Sequence, residues 1–181
     1  MLLGSFLIFL TYQECMQDRN NTLISYTDTS DKIFDYLTIK ETLEIMKDKT
    51  GIIVFVNDKK TTNRFIDLLY NKELKENIYV CNVKKEEIVL ALNDENEAII
   101  KQKPSQDYNN LLDRLGAYSE AYYLLDDEYN IIETNYKRII TPMVLFVKNG
   151  KILFSHFIHD EETTDEELLE IYSKGFSLLK K

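Results

Sequence analysis

The sequence predicts an α/β domain in which buried strands alternate with amphipathic helices. Residues 51–56 and 143–147 are continuously apolar, as is typical of strands covered on both faces. Thr-x-x-Glu capping boxes at Thr38 and Thr164 mark the starts of two helices. The Asn149-Gly150 dipeptide between two apolar runs predicts a β-hairpin, because a type I′ turn needs positive φ at both central residues.

Composition and charge restrict the possible partners. The chain has 181 residues, 44% of them hydrophobic, which is enough for one domain with a substantial core. Its formal net charge of −9, from 31 acidic and 22 basic residues, argues against nonspecific nucleic-acid binding and disfavours anionic membrane surfaces. The five glycines form no phosphate-binding loop, so no cofactor is expected.

The N-terminal part is predicted to lie outside the folded domain. Residues 1–15 are interpreted as a signal-like or anchor segment, because residues 1–10 are apolar but too short to span a bilayer as a helix. Three interpretations stay open: a signal or anchor that starts further upstream, a weak but intact export signal, and a structural element packed on the domain. Residues 16–32 are predicted to be a linker, and residues 33–181 the domain.

The first half of the domain is predicted to contain three strands and two helices. The strands are expected near residues 33–38, 51–56 and 78–83. The first helix begins at the Thr38 capping box and ends near Gly51, and the second follows the strand over residues 51–56. The apolar residues that share one face are Ile39, Leu43 and Met46 in the first helix and Phe65, Leu68 and Leu69 in the second.

A largely helical insertion, about residues 84–138, is predicted to precede Pro142. Residues 84–102 and 107–123 both carry apolar side chains at helical spacing. Residues 124–132 are interpreted as a small hairpin or a loop. The apolar residues of the two helical patterns are Ile88, Leu92 and Ile99, and then Tyr108, Leu111, Leu112, Leu115 and Tyr118.

The last third is predicted to be a hairpin followed by a closing helix. Pro142 opens the strand over residues 143–147, at a position where no ladder donor is lost. Thr141-Pro142 is a candidate cis peptide, although only about 5–6% of X-Pro bonds are cis. One face of the closing helix carries Leu168, Ile171, Tyr172, Gly175, Phe176 and Leu179.

This C-terminal arrangement resembles the thioredoxin fold. Thr141-Pro142, a buried strand, the turn at residues 148–151, a second strand and a closing helix follow one another as they do in that family. Together with Tyr123–Asp127 and Tyr136–Ile139, they resemble a bacterial, Firmicutes-type group that includes bacteriocin-transport accessory proteins. The resemblance covers roughly residue 33 to the C-terminus. It implies a central mixed sheet flanked by helices, with a cis-proline that faces the redox motif.

The redox motif of the resembling family is absent. In that family a C-x-x-C motif lies at a strand-to-helix junction, where the helix N-terminus stabilises the first thiolate. Lys59, Lys60, Thr61 and Thr62 occupy the corresponding positions here. A threonine hydroxyl can cap a helix but cannot perform disulfide exchange, so we expect a redox-inactive protein. Lys59 and Lys60 are interpreted as part of a solvated loop, or alternatively as an anion-binding spot.

The remaining titratable candidates are two cysteines and two histidines. Cys15 and Cys81 form neither a C-x-x-C pair nor a metal-ligand pattern. Cys81 is interpreted as a small buried apolar residue, since a reactive thiol needs an electropositive, partly exposed setting. His156 and His159 would lie on opposite faces of a strand, so no metal site is predicted.

The predicted functional site is a peptide-binding groove. It would lie between Lys59, Lys60, Thr61 and Thr62 on one side and Thr141 and Pro142 on the other. In the resembling family, the residue before the cis-proline offers its backbone to an extended peptide, a form of strand addition. The first hypothesis is a peptide- or partner-binding accessory module at the cell envelope, tethered through the N-terminus, with a cytoplasmic location as the alternative. The second is a degenerate thiol-disulfide oxidoreductase with Cys81 or Cys15 as a lone thiol.

Overall fold

The computed structural model describes residues 34–57, 64, 68–69, 77–157 and 163–180. The strands in these ranges are β1 (Phe34–Leu37), β2 (Gly51–Val56), β3 (Ile78–Asn82), β4 (Val89–Leu92), β5 (Ala98–Gln102), β6 (Glu120–Leu125), β7 (Ile131–Arg138), β8 (Met143–Lys148) and β9 (Lys151–Phe157). The α-helices are α1 (Ile39–Asp48), α2 (Gln106–Leu115) and α3 (Asp165–Lys180), and Arg64, Leu68 and Leu69 are also helical. The predictions for residues 1–33, 59–62, Phe65 and His159 lie outside the described residues.

A mixed sheet forms the centre of the domain. Its five strands have the order β1-β3-β2-β8-β9. Strands β1 and β2 are both parallel to β3, whereas β8 is antiparallel to β2 and to β9. The three strands predicted for the first half of the domain are therefore confirmed, as is the C-terminal hairpin.

The two central strands account for the most deeply buried part of the sequence. All six residues of β2 and the first five of β8 are buried, which confirms that both strands are covered on both faces. In their register, Phe55 lies opposite Met143. The Thr141–Pro142 peptide bond, which immediately precedes β8, is cis as predicted. This bond lies beside the C-terminal end of β2, because β8 is antiparallel to β2.

Helices cover both faces of the sheet. Residues of α1 and α2 join one buried cluster with Ile53, Phe55 and Leu145. On the other face, the ring of Phe146 lies 5.3 Å from that of Phe176 in α3. A Cβ at Gly175 would lie 2.5 Å from the Phe146 ring, so glycine allows α3 to approach the sheet closely. No helix in the described ranges is both long enough and apolar enough to cross a membrane.

Both predicted capping boxes are formed. The hydroxyl of Thr38 accepts from the backbone N–H of Glu41 at 3.2 Å, and the Glu41 carboxylate accepts from the Thr38 N–H at 2.8 Å. The same exchange joins Thr164 and Glu167 at 3.3 and 2.9 Å. Each box satisfies N–H groups that have no partner within the helix, which explains why α1 and α3 begin where they do.

The predicted turn between β8 and β9 is also confirmed. Asn149 and Gly150 have φ values of 49° and 72°, as a type I′ turn requires. The Gly150 N–H donates to the Lys49 carbonyl at 2.9 Å. Arg114 in α2 donates to the carbonyls of Met46 at 2.6 Å and Gly150 at 2.7 Å. The turn, the end of α1 and the side of α2 are therefore joined by hydrogen bonds.

The prediction that the insertion is largely helical was wrong. Residues 84–102 contain the hairpin β4–β5, because the Asn93 side chain accepts from the N–H groups of Glu95 and Glu97 at 3.0 and 2.8 Å. Such Asx turns compete with helix formation. Asn96 adopts a left-handed φ of 60°, which continues the turn.

The second predicted helix of the insertion is shorter than expected. Helix α2 ends at Leu115, because Gly116 has a φ of 57° and a non-helical ψ of −110°. A short 3₁₀ helix follows over Gly116–Tyr118, and β6 begins at Glu120. The hairpin considered for residues 124–132 is confirmed, but it extends over β6 and β7.

Candidate functional site

A cleft of about 470 Å³ opens beside the residues that precede β8. The central sheet and its connections contribute Asn57 and Ile139–Thr141 to its lining. The insertion contributes Glu87–Val89 from the approach to β4, and Glu120, Tyr122 and Arg138 from the hairpin β6–β7. We call this space the Thr141 cleft, and the residues from the insertion its insertion wall.

The structure brings one end of the predicted groove into this cleft. Thr141 lines it, and Pro142, the next residue, is half-buried. The β2–β8 ladder ends at Phe55 and Met143, and Asn57, two residues after Phe55, lines the cleft together with Thr141. Lys59, Lys60, Thr61 and Thr62 lie outside the described residues, so their approach to Thr141 stays a prediction.

An ion pair stiffens the insertion wall. Glu120 and Arg138 are cross-strand partners in the hairpin β6–β7, and Arg138 Nε lies 2.7 Å from Glu120 Oε1. The guanidinium carbon of Arg138 also lies 4.9 Å from the centre of the Tyr122 ring. A partly buried arginine with both a carboxylate and an aromatic partner has little freedom to reorient. The wall therefore presents a fixed surface to the cleft.

Helix α2 fixes the backbone that leads into Thr141. The hydroxyl of Tyr108 accepts a hydrogen bond from the buried N–H of Ile139 at 3.1 Å. Burial raises the pKa of Tyr108 to about 12, whereas this hydrogen bond acts in the opposite direction. The hydroxyl is thus neutral at physiological pH, and it satisfies a backbone donor that would otherwise be buried without a partner. The insertion consequently positions residues 139–141 as well as lining the cleft.

Glu87 is the charged residue of the wall that lacks an ion-pair partner among the residues described. Its backbone is held in place, since its N–H donates to the Val83 carbonyl at 2.9 Å and its carbonyl accepts from Gln102 Nε2 at 2.8 Å. Burial raises the pKa of the half-buried Glu87 carboxyl, and the charges of Arg138 and Lys84 oppose that shift. The described part of the chain places no cation within 4.0 Å of this carboxylate.

Cys81 has the properties of a core residue. It is a free cysteine with no exposed surface, in the centre of β3. Burial raises the pKa of its thiol to about 12, although a hydrogen bond with Thr42 lowers it in part. A nucleophilic cysteine needs a lowered pKa and access to solvent, so this setting does not favour Cys81 as a lone catalytic thiol.

His156 packs against α3 and lies away from the Thr141 cleft. Its ring centre is 5.6 Å from that of Tyr172, in an edge-to-face arrangement. In the part of the chain that the structure describes, no group of three or more histidine, cysteine, aspartate or glutamate residues is arranged to hold a metal ion.

A second, shallower groove of about 740 Å³ runs between α1 and α2. Its lining contains three bases and three acids, so their formal charges cancel: Lys40, Lys47, Arg114, Glu44, Asp107 and Asp113. Arg114 already donates to two backbone carbonyls, and these hydrogen bonds connect α2 with α1 and with the β8–β9 turn. This groove therefore differs from the Thr141 cleft, whose described lining carries one excess negative charge.

The sequence predicted Thr141 and Pro142 but missed the insertion wall. A signal for part of it was present, because Glu120, Tyr122 and Leu124 alternate as on a strand, and Arg138 lies three residues before Thr141. Glu87 had no such signal, since its position in the cleft depends on how the insertion folds. Comparisons with protein-family models, with curated proteins and with solved structures find no match for this chain.

Proposed function

We propose that the chain is a thioredoxin-like binding module without dithiol redox chemistry. It holds an extended peptide, or an extended segment of a partner protein, in the Thr141 cleft. The observation that carries this proposal is the position of Thr141 on the lining of a 470 Å³ cleft, which Asn57, the residue after β2, also lines. The sequence carries no C-x-x-C motif after that strand, so the cleft can bind but has no sulfur pair for exchange.

The topology of the central sheet supports the thioredoxin-like part of the proposal. The order β1-β3-β2-β8-β9, in which β8 alone runs opposite to the other four strands of this sheet, agrees with the central mixed sheet that the resemblance to the thioredoxin fold implies. Helices on both faces agree with that fold as well. The insertion between β3 and β8 is the main departure, and it supplies one wall of the cleft.

Strand addition is the binding mode that the geometry supports best. The pairing of β8 with β2 begins at Met143, so Ile140 and Thr141 precede the ladder. An extended ligand can pair its main chain with such a segment and place alternate side chains in neighbouring pockets. The cleft beside Thr141 is one such pocket, and its mixed polar and apolar lining suits a peptide side chain.

For location, we propose the cell envelope, with residues 1–15 acting as a signal or tether. The apolar character of residues 1–10 motivates this part of the proposal. Fractionation of cells that express the protein from its natural gene tests it. Recovery with the membrane or outside the cell is the expected result, and recovery of all the protein in the cytoplasm would refute it.

Blocking the cleft tests the binding proposal. Peptides selected against the full chain from a random octapeptide library should lose affinity for a Thr141→Tyr variant by about tenfold or more, because the ring fills the space beside the ligand backbone. Ser177→Tyr, the same bulky neutral ring on an exposed position of α3, is the control and should bind like the wild type. Fluorescence anisotropy with labelled peptides measures both affinities. If the Thr141→Tyr variant and the wild type bind the peptides equally, the binding site is not the Thr141 cleft.

A disulfide-reduction assay tests the redox part of the proposal. With dithiothreitol as the electron donor, the chain should not accelerate the reduction of insulin beyond the reagent alone. A rate comparable with that of a C-x-x-C thioredoxin would contradict the proposal.

A further inference from the structure

The charges on the described lining of the Thr141 cleft do not balance. Among the described residues that line it, Glu87, Glu120 and Arg138 are charged, which leaves one excess negative charge in this part of the cleft. Arg138 is already paired with Glu120, at 2.7 Å, and lies over the Tyr122 ring. The side chain of Glu120 is only 17% exposed and its charge is largely compensated by this pair. The excess charge therefore belongs to Glu87.

The Glu87 carboxylate is placed where a cationic group of a ligand could form an ion pair with it. Its backbone is fixed on both sides, by bonds to Val83 and Gln102. Arg138 and Lys84 are near enough to act on it electrostatically, but neither forms an ion pair with it. A carboxylate that is held partly out of water without a close cation gains from one that a ligand brings.

The apolar part of the cleft fits the rest of a basic side chain. Val89 and Ile140, which are both partly exposed, line the same cleft as Glu87. Lysine and arginine combine a long aliphatic stem with a terminal charge, so their stems pack on apolar surface while the charge reaches a polar group. An acidic side chain would meet like charge in the cleft, and the overall charge of −9 would slow its approach.

We infer that Glu87 recognises a lysine or arginine side chain of the peptide that binds in the Thr141 cleft. This inference rests on the proposed function and adds the class of peptide that the module selects. Glu120, Arg138 and Tyr122 form the fixed wall against which that side chain lies. The ligand is therefore an extended peptide with at least one basic residue close to the residue that pairs with Thr141.

A positional-scanning library of acetylated, amidated octapeptides tests this inference. Each sub-library fixes one position as lysine, norleucine or glutamate, so that norleucine keeps the aliphatic stem of lysine without its charge. At one position, the wild-type chain should bind the lysine sub-library about tenfold more tightly than norleucine, as for a partly desolvated charged hydrogen bond. Glutamate at the same position should bind least.

Variants test whether Glu87 causes the preference for lysine over norleucine. Glu87→Gln keeps the shape of the side chain and should reduce the preference for lysine over norleucine to about twofold or less. Glu95→Gln, which removes the same charge from the exposed β4–β5 turn, is the control and should keep the preference. Glu87→Lys should reverse it, so that the glutamate sub-library becomes the tightest. Unchanged thermal unfolding of the variants shows that each one folds.

The outcomes separate this inference from the proposed function. Peptide binding that Thr141→Tyr abolishes, but that shows no preference for lysine, would overturn the role of Glu87 and leave the binding site in place. A lysine preference that survives in Glu87→Gln would also overturn it. If no sub-library binds the wild-type chain, the proposed function fails and the inference fails with it.

Discussion

At the scale of single residues, burial decides which ionisable groups can react or bind. Cys81 and Glu87 both have raised pKa values, and burial is the main cause in each case. The thiol is enclosed by the core, so its raised pKa makes it inert. The carboxylate lies on the lining of a cleft, so a ligand can reach it and restore the solvation that it lacks. Burial thus argues against the predicted catalytic role of Cys81 and supports the proposed binding role of Glu87.

His156 should make the stability of the protein depend on pH. Its Nδ1 is buried without a hydrogen-bond partner among the described residues, and burial lowers the pKa of the ring. The unfolded chain therefore binds this proton more tightly than the folded one. The stability contribution is complete above the ordinary histidine pKa of 6.5 and is lost as the pH falls below it.

A His156→Phe variant measures this contribution. Phenylalanine keeps a ring against Tyr172 but cannot be protonated. Urea unfolding between pH 7.5 and 5.5 should show a smaller loss of unfolding free energy for the variant than for the wild type. Any titration of His159 occurs in both proteins and cancels in the comparison. Equal losses would show that His156 keeps its ordinary pKa in the folded state.

At the scale of elements, the β8–β9 turn connects the hairpin to the helices on one face of the sheet. Gly150 lies where the turn contacts α1, because a Cβ there would overlap the Lys47 carbonyl oxygen and lie 2.8 Å from the Met46 carbonyl oxygen. Arg114 donates hydrogen bonds to the Met46 and Gly150 carbonyls at the same contact. The end of α1 is therefore packed directly on the turn.

Gly150→Ala should strongly destabilise the protein. It introduces both a left-handed alanine, with φ of 72°, and a collision with backbone that cannot move independently. Gly116→Ala is the matched control, since its φ of 57° is also unfavourable but no atom lies within 4 Å of the added Cβ. We expect a loss of about 1–3 kcal/mol for the control and about 2 kcal/mol more for Gly150→Ala. Similar losses in chemical denaturation would mean that the turn does not pack on α1.

Elements with strong local signals could be predicted from the sequence, and the insertion could not. Capping boxes and an Asn-Gly turn specify their own geometry, so α1, α3 and the β8–β9 hairpin agree with expectation. In residues 84–102, Ile88, Leu92 and Ile99 have spacings that suit a helix, yet the Asn93 side chain forms a turn instead. Periodicity alone does not distinguish the two outcomes when the apolar residues are this few.

At the scale of the whole molecule, the central sheet and the insertion each supply part of the cleft. Asn57 follows β2 and Thr141 lies shortly before β8, so the pairing of these two strands brings both residues to the cleft, and the groove predicted from the sequence included Thr141 and Pro142. The insertion wall depends on long-range packing, including the hydrogen bond between Tyr108 and Ile139, which are 31 residues apart. Contacts of that separation leave no local pattern, which is why Glu87 and Arg138 were not predicted.

Two grooves in the described part of the chain could hold a ligand, and their linings differ in charge. The groove between α1 and α2 is larger, at about 740 Å³, but its charges cancel and Arg114 is already bonded. The Thr141 cleft, at about 470 Å³, contains the Glu87 carboxylate, which has no ion-pair partner among the described residues, and it lies beside the residues that precede the β2–β8 ladder. Chemistry, rather than volume, favours the Thr141 cleft.

Amide chemical-shift mapping with a selected octapeptide distinguishes the two grooves most directly. Binding in the Thr141 cleft should give the largest shifts on titration at Asn57, Glu87 and Thr141, with little change at Lys40 and Asp113. The largest shifts at Lys40 and Asp113, with Thr141 unaffected, would place the ligand between α1 and α2 and overturn the proposed binding site.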